Sequence, residues 1–330
     1  MVSALIVGAG AIGLNLGFKL KTLGAAVRVG LLARSNYQAL KDQGYAEIKY
    51  IASGKESSVF KPDVLYSFES QQEPPTEKFD YIIVTTKSLA TEAVSGLERF
   101  SKADTLLVVA QNGVDIEEPY LKHYPSMNIA SAVVRCGLSQ ETPTSSTDYG
   151  NFLLMSFGLI RPEKDDLVLE KLKKLAETAK AAGLTDARIS EDLTADRWQK
   201  MMMNGTFNTV CAVVELDMGE VLKAGLEDFL ITLGHEIHAV GVKAIGEARM
   251  CDRDTILKVI ADQKKRSVAI IPSTLQDVRK GKPIEYEALS GNLIRVADRL
   301  GVDVPNLKMV HMMLKGVNYR LEHSSQLGKL

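Results

Sequence analysis

Residues 4–7 form a short apolar run that feeds directly into Gly8, Ala9, Gly10, Ala11, Ile12 and Gly13, a G-x-G-x-x-G turn. Those residue types at that spacing suit the cradling of a pyrophosphate. The first glycine makes the turn out of a buried strand, the second lets backbone amides approach the anion, and the third lets the next helix pack closely on the sheet. The helix adds free N–H groups and the positive end of its dipole. A glycine-rich turn that binds nothing is the alternative, and the strand before with an amphipathic helix after argues against it. A dinucleotide is therefore expected. Its identity turns on the second strand, read over 26–33, which ends in Arg34-Ser35 with no acid nearby. An NAD site usually carries Asp or Glu there for the ribose 2′-hydroxyl. A guanidinium fork suits a 2′-phosphate instead, and Ser35 adds a hydroxyl donor. The arginine can also be merely solvated, but with the acid missing the pattern favours NADP(H) over NAD(H).

A second constellation lies within residues 197–208. Lys200, Asn204 and Asn208 recur every four residues, so a helix would set one cation and two amides on one face. Trp198, Met201, Met203 and Phe207 supply apolar surface on its other sides. Asparagine is a mediocre helix former, so this row suits the wall of a polar pocket better than a solvated stripe. Further along, Ser273 opens a helix and Glu285 stands near the start of another, where it can serve simply as a charge favoured by the helix dipole. Thr85-Thr86-Lys87 and Gln111-Asn112-Gly113 each follow a strand at its C-terminal end, where ligands of such sheets lie. Lys87 can equally be a surface lysine, and Asn112-Gly113 an ordinary turn pair.

Strands alternating with helices must position these groups. Residues 1–190 read that way, with strands at 45–50, 57–60, 79–85 and 105–110 and helices at 88–100, 115–122 and 164–182. This pattern gives a mostly parallel sheet, extended, in part antiparallel, by 129–134 and 151–156. The stretch 36–76 is irregular, and Pro74-Pro75 breaks it. From 191 helical periodicity takes over at 191–213, 226–249, 254–263, 273–281, 285–301 and 305–321. The expected architecture is an α/β Rossmann-type domain over 1–190 and an all-α domain over 191–330, with ligand between them over the strand ends. The 330 residues, 45% hydrophobic and 25% charged, have ample core. A net charge of −1 and a pI near 6.6 give no case for nucleic acid or an anionic membrane, and no apolar run reaches the roughly 18 residues of a membrane span. The first strand lacks the basic flank of a signal peptide. Cys136, Cys211 and Cys251, odd in number and widely spaced, point to the cytosol. His235 and His238 lie one helical turn apart, but with no third ligand near them no metal site is expected.

Taken together, Gly8 to Gly13, Arg34, Thr86-Lys87, Gln111-Asn112-Gly113, Lys200-x3-Asn204-x3-Asn208 and Ser273-x-Leu275-Gln276-Asp277, with Glu285 eight residues beyond, resemble the ketopantoate reductase family in order and spacing. The resemblance implies NADPH-dependent reduction of 2-dehydropantoate to pantoate, a step of pantothenate and coenzyme A biosynthesis. It implies that Lys200 donates a proton to the keto oxygen, and that Asn112, Asn204, Asn208 and Ser273 bind the substrate's carboxylate and hydroxyl groups. Asn112 would also touch cofactor, Glu285 would bond nicotinamide ribose or substrate, and Arg34 and Lys87 would be cofactor contacts. A related D-2-hydroxyacid dehydrogenase acting on another 2-keto acid, or a catalytically silent NADP(H)-binding sensor, are the other readings. A homodimer is expected only because it is the commonest assembly.

Overall fold

β-Branched and leucine-rich runs bounded by glycine and polar turns become strands buried on both faces. In the computed structural model, which describes residues 1–69, 75, 77–89, 92–160 and 166–324, the strands are β1 (Val2–Val7), β2 (Val27–Ala33), β3 (Ala46–Tyr50), β4 (Ser58–Phe60), β5 (Val64–Ser67), β6 (Phe79–Val84), β7 (Ser101–Val109), β8 (Asn128–Ser139), β9 (Ser145–Leu159) and β10 (Asp186–Ile189). They form one sheet in the order β4-β3-β9-β8-β7-β6-β1-β2-β5, with β10 also beside β9. From β5 to β8 every pairing is parallel. Among the described residues only β8–β9 and β3–β4 run antiparallel. The strand order reverses between β1 and β6, the position at which sheets of this kind take their ligands. Ala4 and Ile6 of β1 face one core and Leu5 and Val7 the other, as expected of a parallel sheet covered on both sides.

The helices are α1 (Ala11–Lys21), α2 (Tyr37–Gln43), α3 (Glu118–His123), α4 (Asp166–Ala181), α5 (Leu193–Met203), α6 (Thr209–Val214), α7 (Met218–Lys223), α8 (Glu227–Ile245), α9 (Thr255–Lys265), α10 (Ser273–Arg279), α11 (Asn292–Leu300) and α12 (Pro305–Glu322). The chain forms two compact units. One is the sheet with its helices, residues 1–87, 92–111 and 116–193. The other is helical, residues 194–330 together with two short segments from earlier in the chain, 88–91 and 112–115. Its core gathers Trp198, Met202, Phe207, Leu233, Ile237 and Leu293, and Val114 joins it. No helix among the described residues is long and apolar enough to cross a membrane.

Several elements differ from expectation. No α-helix forms over the described part of 88–100; a single 3₁₀ turn occupies Leu97–Phe100. Gly96 just before it takes φ +75°, a left-handed turn that breaks a helix. Leu97 and Phe100 are buried in the core, so their spacing mimics an amphipathic helix. The irregular stretch 36–76 contains α2 and β5, and β10 and α7 were also unforeseen. The break at Pro74, the start of the helix expected from 164 and residues 90–91 lie outside the described residues. The largest change falls on the helices expected at 191–213 and 285–301. Each contains a π turn, Asn204–Asn208 and Glu287–Gly291.

Candidate active site

In the sheet unit, β1 ends at Gly8, whose φ of +112° is open to glycine and strained for other residues. A side-chain carbon on Gly8 would lie 2.8 Å from the Thr86 amide nitrogen, and one on Gly13 only 1.9 Å from the Gly8 carbonyl oxygen. The first and third glycines thus let strand, turn and α1 meet. Gly10 differs, with no atom within 4 Å of where its side chain would be, so the backbone there is open. Gly10 caps α1, whose first turn carries no acidic residue, leaving the amides at Ala11, Ile12 and Gly13 and the dipole unopposed for an anion. The turn is braced by side chains that sequence reasoning passed over: Asn36 Nδ2 and Gln140 Nε2 donate to the Ala9 carbonyl at 2.7 and 2.8 Å. Arg34 and Ser35 directly follow β2 and are exposed. Lys87 is exposed three residues after β6. Open backbone and glycine approach at the end of β1 fit the pyrophosphate of a dinucleotide.

Thr86 and Gln111 play a structural part in the same unit. Gln111 Nε2 donates to the Thr86 carbonyl and hydroxyl at 3.0 and 3.1 Å, and its Oε1 accepts from Tyr120 at 3.0 Å. They tie the ends of β6 and β7 together.

In the helical unit three of the expected residues meet. Lys200 Nζ, near the end of α5, donates to Asn112 Oδ1 at 2.7 Å. Asn112 Nδ2 lies 3.4 Å from Glu285 Oε2, and the Ser88 amide donates to Glu285 Oε1 at 2.9 Å. Glu285 is only 8% exposed, and these donors help to hold its charge there. The Asn112 amide is oriented by its neighbours: the ammonium requires an acceptor and the carboxylate a donor. A second pair forms nearby in sequence order, with Asn208 Nδ2 3.4 Å from the exposed Ser273 Oγ.

Asn204 and Asn208 are 3% and 4% exposed, so the row is no solvated stripe. Nor is it one straight helical face. The π turn inserts an extra residue per turn exactly where the row runs, so positions four apart no longer align as in an α-helix. Hydroxyls stabilise it: Thr206 Oγ1 donates to the Met202 carbonyl at 2.6 Å and Thr209 Oγ1 to Gly205 at 2.8 Å. Gly205 lets the turn pack closely on α8, since a side chain there would lie 2.6 Å from Ile237 Cδ1 and push that side chain aside.

Arg197 is the residue the sequence reading left without a role. It is 6% exposed and its Nη1 donates to the Gly113 carbonyl at 3.0 Å. Asn292 Nδ2 donates to the Val114 carbonyl at 2.6 Å, and Arg299 pairs with Asp115 at 3.0 Å. These contacts hold the segment that carries Asn112. Arg197 lies three residues before Lys200, on the same side of α5, a signal that was available. Asn292 offered none. Cys211 on α6 is buried, and burial pushes its thiol up to about 12, so it packs and is no nucleophile. His235 and His238 engage Arg253 and the Cys251 carbonyl.

Comparison with known proteins follows the same two regions. Residues 4–154 match the family Ketopantoate reductase PanE/ApbA, and residues 192–318 match Ketopantoate reductase PanE/ApbA C terminal. The chain is 23% identical to a 2-dehydropantoate 2-reductase of Nostoc sp., over 96% of this chain and 95% of that protein. The crystal structure of 2-dehydropantoate 2-reductase from Methylococcus capsulatus aligns with a TM-score of 0.78 at 26% identity, over 97% of this chain and 98% of that one. The ternary structure of D-mandelate dehydrogenase with NADH and anilino(oxo)acetate aligns with a TM-score of 0.83 at 22% identity, over 97% and 99% of the two chains, a likeness of fold. With its sheet region and its helical region both matched, the chain belongs to the ketopantoate reductase family.

Proposed function

We propose that this protein reduces a 2-keto acid with NADPH, and that 2-dehydropantoate is the substrate, giving pantoate. The observation that carries the reading is the Lys200–Asn112–Glu285 arrangement, a cation and a buried carboxylate held by one oriented amide. When bound, the cofactor supplies hydride to the keto carbon. Lys200 Nζ donates the proton to the keto oxygen and stabilises the negative charge that develops there, the kind of preorganised electrostatics that dominates such steps. Asn112 holds Lys200 in place from one end and Glu285 from the other. Asn204, Asn208 and Ser273 supply donors and acceptors for the substrate's carboxylate and hydroxyl, and Glu285 accepts from a ribose or substrate hydroxyl. Gly8 to Gly13 take the pyrophosphate, Arg34 takes the 2′-phosphate, and Lys87 adds a second cofactor contact. A binding-only sensor has no use for a buried carboxylate tied to a lysine.

Steady-state reduction of 2-dehydropantoate, 2-ketoisovalerate and an aromatic 2-keto acid, each with NADPH and NADH, tests this reading. Highest kcat/KM for 2-dehydropantoate with NADPH is expected. A preference for the aromatic acid would make the protein a D-2-hydroxyacid dehydrogenase, and no turnover of any acid would overturn the catalytic reading.

A further inference from the structure

Apart from the Lys200–Asn112–Glu285 set, a second polar cluster is built around the π turn that follows Glu285. His311 on α12 brings Nδ1 to 2.9 Å from Ser290 Oγ and Nε2 to 3.8 Å from Glu287 Oε1. Ser290 is fully buried, and its Oγ lies 2.8 Å from the Tyr286 carbonyl oxygen. A hydroxyl has one hydrogen and a carbonyl can only accept. The Ser290 hydrogen therefore goes to Tyr286, and His311 Nδ1 must be the donor to Ser290. In the neutral ring this fixes the Nδ1–H tautomer and turns an unprotonated Nε2 toward Glu287.

The cluster closes over a glycine. A Cβ on Gly291 would lie 2.3 Å from Glu287 Oε2 and 3.3 Å from His311 Cε1. Arg295 already pairs with Glu287 Oε2 at 2.8 Å, and the Tyr286 ring lies 5.4 Å from the imidazole. Burial first, then the Arg295 and Lys315 charges, hold the His311 pKa below its ordinary value against the opposing pull of Glu287. The Leu289 amide donates to the Glu285 carbonyl at 3.0 Å, and Ser290 holds the next carbonyl, that of Tyr286. The backbone that aims the Glu285 carboxylate is thus tied at successive residues to the π turn.

We propose that His311 is a positioning residue for Glu285, acting through the Ser290 hydroxyl with Nδ1–H as the working donor. The proposal rests on the reading of Glu285 as part of the reductive site. Imidazole ¹⁵N NMR of the protein without cofactor reads the tautomer directly. A protonated Nδ1 and bare Nε2 are expected near neutral pH, and the opposite tautomer overturns the proposal. Two substitutions separate the ring nitrogens, since Asn places its amide near Nδ1 and Gln near Nε2. His311→Asn is expected to keep kcat within about threefold, whereas His311→Gln should lower it about tenfold with a smaller change in KM for NADPH. Hydrogen exchange over 285–291 should quicken in the Gln variant and stay near the parent in the Asn variant. In a Ser290→Ala background the difference between the two variants should vanish. Equal behaviour of the Asn and Gln variants in both kcat and exchange overturns the proposal. If the parent reduces no 2-keto acid, the reading of Glu285 fails, while tautomer and exchange still decide whether His311 holds the turn.

Discussion

At the scale of single residues, the Asn112 amide presents its oxygen to an ammonium and its nitrogen to a carboxylate, so each charged partner helps fix the amide orientation that the other uses. Lys200→Ala should cut kcat by at least about 100-fold, the usual contribution of a positioned acid, while calorimetry finds NADPH binding unchanged. A near-normal kcat would place the proton source elsewhere. Arg34 is proposed to have a different task. Its loss should raise KM for NADPH by about ten- to a hundredfold, as expected when a charge-assisted bond of about 1.5–3 kcal/mol disappears. Activity with NADH should barely change, and equal losses with both cofactors would show that Arg34 does not read the 2′-phosphate. Lys200 was legible from its row with Asn204 and Asn208, whereas Asn112 and Glu285 stood out only through the family resemblance, since alone they read as a turn residue and a charge at a helix start. Asn36 and Gln140, which brace the Ala9 carbonyl, were not, since an amide that serves a backbone carbonyl carries no distinctive spacing.

Elements were legible where burial is periodic. β1, β2, β6 and β7 stood out as apolar runs, and α4, α8 and α12 as helical stripes. The π turns could not be read because they follow from hydroxyls bonding backward to carbonyls, as Thr206 does to Met202, and from glycines that allow close approach. Neither leaves a period in the sequence. Leu97 and Phe100 similarly lent the described part of 88–100 an apparently amphipathic pattern, although Gly96 turns the backbone left-handed there. The segment 112–115 shows what such irregular pieces contribute, because Arg197 fixes it through the Gly113 carbonyl. Arg197→Met keeps much of the bulk but leaves that carbonyl unsatisfied, at about 1–3 kcal/mol. Thermal unfolding should occur at lower temperature, and kcat should fall about tenfold as Asn112 loosens. A full loss of stability without loss of kcat in the folded fraction would confine Arg197 to packing.

On the scale of the whole molecule, each unit has its own core, and acid should act first where carboxylates tie strands together. Burial pushes the Asp80 carboxyl up, but Lys102 and the Ser3 hydroxyl and amide outweigh it and hold Asp80 below its ordinary value. A pKa depressed by folding contributes stability above about pH 4, the unfolded value, and loses it as pH falls through the folded one. The gap in denaturant midpoint between the parent and Asp80→Asn should therefore be full at pH 7 and close below about pH 4; a gap independent of pH would mean that the charge on Asp80 is immaterial. The two-unit division in turn bears on modularity. The helical unit takes in residues 88–91 and 112–115, and with them Val114 for its core, the Ser88 amide for Glu285 and the Gly113 carbonyl for Arg197. A gene cut at the border near residue 194 would leave the downstream half with a hole, a buried carboxylate short of the Ser88 and Asn112 donors and a buried guanidinium short of the Gly113 carbonyl. Chimeras between relatives therefore inherit a working helical half only when those two short upstream pieces travel with it, so recombination within this fold is constrained at three places along the chain rather than one.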